Sequence, residues 1–236
     1  MMLGDVLARD DAARPSHACG GVIAGTPVWT DRGRVPIEQL KVGDNVLSQP
    51  ESTGERAYRK VLRMFCCEDK AILCVRYCLP PPDDTEIHYE YVTCNHPFWV
   101  KRVGWTRADL FEGGEELELH DGRTAYVLEG VPLYKTDRPN IDWMPEYSHS
   151  VDGFEIDFSG GKVWWLDEQD QRNFGKSLGS LLTTVYAIEV EGFHTCYVGE
   201  LGVWVHNAHG AGIERFATGS GVPSGPAMQR SGREMD

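Results

Sequence analysis

The chain has no apolar run approaching the roughly 20 residues of a membrane-spanning helix, no surplus of Lys and Arg, no CxxC pair and no internal repeat. The first absence excludes a helical membrane span. The second leaves a net charge of −13 at pH 7, which argues against a nucleic-acid surface, since phosphate contacts need cations in excess. That acidity keeps the surface soluble and says nothing of the fold. The seven cysteines, at 19, 66, 67, 74, 78, 94 and 196, are an odd set without metal-ligand spacing. Adjacent Cys66 and Cys67 point to opposite faces of a strand. Cys74 and Cys78 share a face but stand about 13 Å apart, too far to share a zinc. No metal or cofactor is therefore expected. The thiols read as small buried hydrophobes, and a reducing compartment suits them. The opening MMLGDVLARDDAARPSHA lacks the apolar segment of a signal peptide, so classical secretion is not expected.

What is present suffices for a core: 236 residues, 41% of them hydrophobic and 10% aromatic, enough for one sizeable domain with tails. Residues 1–20 are polar and read as a tail or linker. From Gly21 short strands alternate with turns. A strand precedes the Asp31-Arg32-Gly33 turn; a Pro36-initiated helical turn and the Val42-Gly43-Asp44 bend lead to the next. YRKVLRMFCCEDKAILCVRYCL gives two β-rich runs split by a charged turn at Glu68-Asp69-Lys70, and the proline run from Pro80 makes a loop. EIHYEYVTCNHPFWV is a strand ending over Thr93 to His96, with Pro97 closing its ladder. A short helix is expected around Arg107 to Leu110 and a hairpin at Asp121-Gly122. Residues 132–177, rich in Asp, Trp, Tyr and Gly without a clear period, form an irregular insertion; packing as extra β-ribbon is equally open. The β pattern resumes from Leu182 to Val205, and 208–236 is a Gly/Ser/Pro-rich flexible tail. The fold class is all-β.

The last β segment, VYAIEVEGFHTCYVGELGVWVHNA, ends on His206-Asn207 with the small Ala208 after it. The side-chain amide of asparagine can attack its own backbone carbonyl and sever the chain behind it. That reaction is slow in water, and His206 and His194 are placed in sequence to supply its proton transfers. The substrate on this reading is the chain's own Asn207–Ala208 bond.

Three segments in order, GVIAGTPVWTDRGRVPIEQLKVGDNVLS, VTCNHPFWV and VYAIEVEGFHTCYVGELGVWVHN, resemble the opening, Thr-x-x-His and closing blocks of the Hint superfamily of inteins and hedgehog autoprocessing domains. The resemblance is nearest to the pretoxin Hint modules of bacterial polymorphic toxins and spans residues 21–207, apart from the insertion. It implies a disulfide-free horseshoe of short strands that gathers groups from both ends and the middle of the sequence. It also implies roles. Asn207 cyclises; His206 polarises the scissile carbonyl or protonates the departing nitrogen; His194 deprotonates the attacking amide. Thr93 and His96 grip the N-terminal scissile amide. A toxin cargo or larger secreted polypeptide would be the partner beside the chain itself. Localisation stays open: cytoplasmic on synthesis, with export as part of a toxin system.

The chain departs from the family pattern in three places. Gly21 occupies the position of the N-terminal Cys or Ser nucleophile and cannot start an acyl shift. Cys19, two residues upstream, stands about 7 Å away in extended chain, outside attack distance. Ala187 replaces an acidic, polar or cysteine side chain that couples the two cleavages, and Ala208 replaces the nucleophile that splicing needs. All three remove ligation and leave asparagine cyclisation possible, so one-sided cleavage is expected, in single turnover and in cis. Two alternatives remain open: a degenerate Hint scaffold serving as linker or docking module, and a thiol hydrolase using Cys94 or Cys196 beside a histidine.

Overall fold

The computed structural model describes residues 20–81, 86–148, 150, 152–157 and 179–206, with the backbone of 164–165. Asn207, Ala208, Cys19 and both tails lie outside the described residues. Seventeen strands follow in chain order: β1 (Val22–Ile23), β2 (Pro27–Thr30), β3 (Gly33–Pro36), β4 (Asn45–Ser48), β5 (Ala57–Cys78), β6 (His88–Thr93), β7 (Pro97–Val100), β8 (Gly104–Arg107) and β9 (Glu116–Glu118). The second half holds β10 (Thr124–Pro132), β11 (Tyr134–Lys135), β12 (Ile141–Pro145), β13 (Gly153–Asp157), β14 (Trp164–Trp165), β15 (Leu182–Val190), β16 (Thr195–Val198) and β17 (Val203–His206). Helical structure among the described residues is two single 3-10 turns, Ile37–Gln39 and Ala108–Leu110. Both fall where helix starts were expected, and both are too short to propagate. The all-β expectation holds.

The spine is β5. Its first four residues pair with β4, its middle with β15, and its last third with both β6 and β10. The remaining strands run from β10 through β9, β7, β17, β16, β2 and β4 back to β5, so the main sheet closes on itself. Residues 68–70 do not form the expected turn. Val185 pairs with Cys67 and Thr183 with Lys70, leaving Glu68 and Asp69 opposite Thr184 alone. That extra residue is a β-bulge, and Asp69 takes the left-handed φ of 53° that bends the strand there. Asp tolerates this conformation because its short polar side chain can bond locally. Pro97 likewise begins β7 instead of ending β6, at a first-strand position where its missing N–H costs little.

Burial follows from this pairing. The first half of β5 alternates, with Tyr58 and Leu62 exposed and Val61 buried, whereas Ile72 to Tyr77 are buried without a break. The difference arises because the second half is covered on both faces. One face meets the central core of Val28, Val46, Val75, Phe98, Leu117 and Val205; the other meets Met144 and Ile156 of the insertion. The insertion, open in sequence between irregular structure and β-ribbon, takes the ribbon form as the antiparallel sheet β11-β12-β13-β14. Arg76 anchors it: the guanidinium, buried on β5, pairs with Glu129 on β10 and donates to the Glu146 carbonyl just past β12.

Cys67 is disulfide-bonded, which corrects the disulfide-free fold implied by the resemblance. Cys66, Cys74, Cys78, Cys94 and Cys196 are free thiols. Because disulfides persist in oxidising surroundings, the thiol argument for a reducing compartment no longer holds.

One buried acid interrupts this core. Glu90 on β6 is 4% exposed and accepts a hydrogen bond from the Tyr77 hydroxyl at 2.9 Å. It lies against Gly199, where a Cβ would fall 1.6 Å from its Oε1. Burial pushes its carboxyl up to about 8. Since the folded value exceeds the unfolded one, the folded state holds the proton longer. Its contribution to stability is complete below the unfolded value near 4.5 and is lost as pH rises through about 8. Glu90→Gln keeps the acceptor for Tyr77 and needs no proton. Denaturant unfolding is expected to show the variant more stable by on the order of 1–3 kcal/mol at pH 8, with the gain vanishing near pH 4. Equal stability at both pH values would show that Glu90 ionises freely.

Candidate functional site

The proposed catalytic residues come from four places that the closed sheet brings together. β17 lies between two antiparallel partners: Thr195 of β16 is opposite His206, and Phe98 of β7 is opposite Val205. Continuing these registers within the described residues puts Pro97 opposite His206 and leaves His96 one residue beyond it. On the other side His194 directly precedes Thr195. His206, half-buried at the end of β17, therefore emerges between His194 and His96.

His194 is exposed and has a φ of 56°, a left-handed conformation uncommon for a residue other than glycine, asparagine or aspartate. The residue after it is locked. Thr195 Oγ1 donates to the Gln49 carbonyl at 2.7 Å, and the Ser48 hydroxyl donates to the Thr195 carbonyl at 2.7 Å. Tyr197 adds a bond from its hydroxyl to Gln49 Oε1 at 2.8 Å. This fully buried network between β4 and β16 holds the backbone against the strain at His194. Ser48 and Gln49 were not recognisable as site residues in the sequence, since a Ser-Gln pair ending a strand carries no motif.

At the other junction, Thr93 is buried at the end of β6 and engages Gly21 twice. Its Oγ1 accepts from the Gly21 N–H at 3.1 Å, and its own N–H donates to the Gly21 carbonyl at 2.9 Å. His96 is fully buried, and neither ring nitrogen has a hydrogen-bond partner among the described residues. Burial first, and then the nearby His206, lowers its pKa to about 3. It is thus a neutral imidazole at physiological pH and holds no ready proton. A pocket of about 10 Å³, room for one water at most, adjoins His96, Val22, Ala187, Cys196 and Val205.

The two departures noted in sequence turn out to be neighbours. Val22 pairs with Tyr186 and Ile23 with Val185, so the same register sets Gly21 opposite Ala187. The strands approach closely there: a Cβ on Gly21 would lie 2.7 Å from the Tyr186 carbonyl oxygen and 3.1 Å from Val185 Cγ2. A nucleophilic side chain is not merely missing; the space for its first carbon is occupied by backbone. The thiols offer no substitute. Burial pushes Cys196 up to about 12 and raises Cys94 as well, so neither is an activated thiolate, and the unpartnered ring of His96 bonds to neither.

Around His206 the structure adds residues that sequence reasoning did not single out. Trp105 of β8, 8% exposed, meets the His206 ring edge to face, with centroids 5.1 Å apart and planes at 80°. It sits with Trp99 and Trp204 in a small aromatic cluster apart from the main core. A tryptophan in a short β segment reads as core, and nothing in its spacing points to the chain's far end.

Comparison with known proteins bears on the family and the fold. The pretoxin HINT domain family model matches residues 28–162. The solution structure of a bacterial intein-like domain from Clostridium thermocellum superposes with a TM-score of 0.52 at 25% identity, covering 79% of this chain and 98% of that one. The crystal structure of a DnaB intein from Synechocystis sp. PCC 6803 gives a TM-score of 0.50 at 15% identity over 80% of this chain and 99% of its own, a likeness of fold alone. No curated protein matches the chain.

Two outcomes test this site. Gly21→Ala is expected to cost about 1–3 kcal/mol in denaturant unfolding, from overpacking against Tyr186 and Val185. Gly21→Cys is expected to give no hydroxylamine-induced cleavage before residue 21; a trapped acyl product there would show that the strand can make room. For His96, whose pKa is lowered to about 3, the ring resonances in an NMR titration should stay unchanged between about pH 8 and pH 4. A midpoint near 6 would mean that the ring reaches water.

Proposed function

Because the chain belongs to the pretoxin HINT domain family, we propose that it is an intein-like self-processing domain that cuts its own backbone after Asn207, without splicing, and releases the segment that follows. The Asn207 side-chain nitrogen attacks its own carbonyl carbon, and the bond from that carbon to the Ala208 nitrogen breaks. His194 takes the proton from the attacking amide, while His206 polarises the carbonyl or hands a proton to the departing nitrogen. The products are a C-terminal succinimide and a free amine on Ala208, so no water is consumed in the cut. Thr93 and His96 are relics of an N-terminal reaction that Gly21 and Ala187 no longer support. The released segment would be, or lead into, a toxin cargo.

The observation carrying this reading is the pair of registers on β17. They set His206, the end of β17, between the strand that starts just after His194 and the strand that starts just after His96. Asn207 itself lies outside the described residues. The relay proposed here needs His194 and His206 each within about 3 Å, or one water, of the atoms they serve, and the pairing of Thr195 with His206 brings their two strand ends side by side.

The second reading, a scaffold that folds but no longer reacts, is favoured by the closed space at Gly21 and by the alanine opposite it. Mass spectrometry of the purified full chain incubated near neutral pH separates the two. Self-processing yields two pieces divided after Asn207 whose masses sum to that of the intact chain; simple hydrolysis would add one water. Asn207→Ala is expected to abolish the split, and His206→Ala and His194→Ala to slow it about 100-fold or more, the usual scale of a lost acid or base. Intact chain alone after several days would establish the scaffold reading.

A further inference from the structure

We propose that Trp105, held by Glu51, is a positioning residue that fixes the ring of His206; its value for cleavage rests on the function proposed above. An imidazole at a strand end has broad freedom about its second side-chain torsion. Something must therefore hold it if it is to meet one peptide unit. Trp105 is built to do so. Its indole N–H donates to Glu51 Oε1 at 2.6 Å, and its ring centroid lies 5.0 Å from that of Trp99 and 5.1 Å from that of Trp204. Two rings and one hydrogen bond thus restrain the indole, and a further contact of the same kind is its edge-to-face meeting with His206. Such a geometry is the preferred one for a ring quadrupole.

The origin of Glu51 strengthens the case. It follows Ser48 and Gln49, which bind Thr195, the residue opposite His206. One short segment after β4 therefore grips the candidate site on two sides: at Thr195, which carries His194, and at Trp105, which touches His206. The Glu51 carboxylate satisfies the buried indole N–H, which would be costly to leave unpaired. The pairing of a buried donor with a surface acid also restrains the rotation of the indole, and with it the angle at which it meets the histidine.

The test uses the full chain and two readouts. In an Asn207→Ala background, which keeps the chain intact, the ring-proton shifts of His206 report the indole above it. Trp105→Leu, which keeps apolar volume but has no ring, is expected to abolish the ring-current displacement. Trp105→Phe is expected to retain much of it. Glu51→Ala should broaden or shift the His206 resonances, whereas Glu51→Gln, whose amide oxygen still accepts from the indole, should leave them near wild type. With Asn207 present, cleavage measured well below each variant's melting temperature should fall about tenfold in Trp105→Leu and less than about threefold in Trp105→Phe, as expected for loss of an oriented aromatic contact. The pH dependence should move in Trp105→Leu but not in Glu51→Gln. Unchanged His206 shifts in Trp105→Leu would overturn the proposal, as would unchanged cleavage with a lowered melting temperature, which marks a merely structural tryptophan. If the wild-type chain never cleaves, the functional reading fails, and the ring shifts still decide whether Trp105 holds His206.

Discussion

The last strand among the described residues is an interior strand. β17 is paired on one edge by β16 and on the other by β7, and its residues Val203, Trp204 and Val205 are buried. A chain end with one partner could fray, and its side chains would sample many positions. With both edges occupied, β17 is paired along its length by β16 and at Val205 by β7, so its position is set by two independent registers. The closeness of His206 to His96, the approach of His194 and the aromatic packing at Trp105 all depend on that double pairing. So does the closure of the sheet, because β17 links the half of the sheet holding β10, β9 and β7 to the half holding β16, β2 and β4.

A second constraint acts at the opposite end. β1 is only two residues long, yet Gly21 before it is held by two hydrogen bonds to Thr93 and pressed against the backbone of β15. This approach needs the smallest residue on one side and is accompanied by an alanine on the other. Gly21 and Ala187 thus belong to one close approach of two strands. His96, near this approach, is neutral and without a hydrogen-bond partner among the described residues. An unpartnered buried imidazole is unfavourable in a core.

Much of this was legible in the residues themselves. The all-β class, the helical turn after Pro36, the hairpin at Gly122 and the insertion before Leu182 all follow from local turn chemistry and from strand-forming runs. Three separated blocks were enough to name the family and the histidines worth examining. Other features misled for identifiable reasons. Glu68-Asp69-Lys70 has turn composition, yet β15 pairs across it and converts the turn into a bulge. The insertion has no period because its strands are short and its sheet is covered on one side by β5 and β10, so neither alternation nor continuous burial dominates. Cys67 could not be told from its free neighbour Cys66, since adjacent residues on a strand face opposite ways and only the fold decides what each one meets.

Residue types and their spacing determined which chemistry this chain could attempt: an asparagine before a small residue, histidines before it and upstream, and no nucleophile at position 21. Those are properties of covalent structure and need no fold. Tertiary structure alone decided which of these groups become neighbours, because the pairing of the strand at Gly21 with that at Ala187 and the nearness of His96 to His206 join distant parts of the sequence. It also decided their state. Burial makes His96 neutral and Glu90 hold its proton, while the packing of Glu51 and Trp105 sets the surroundings of His206. The reason is physical: reactivity depends on distance, orientation and local dielectric, and a linear order of residues specifies none of the three.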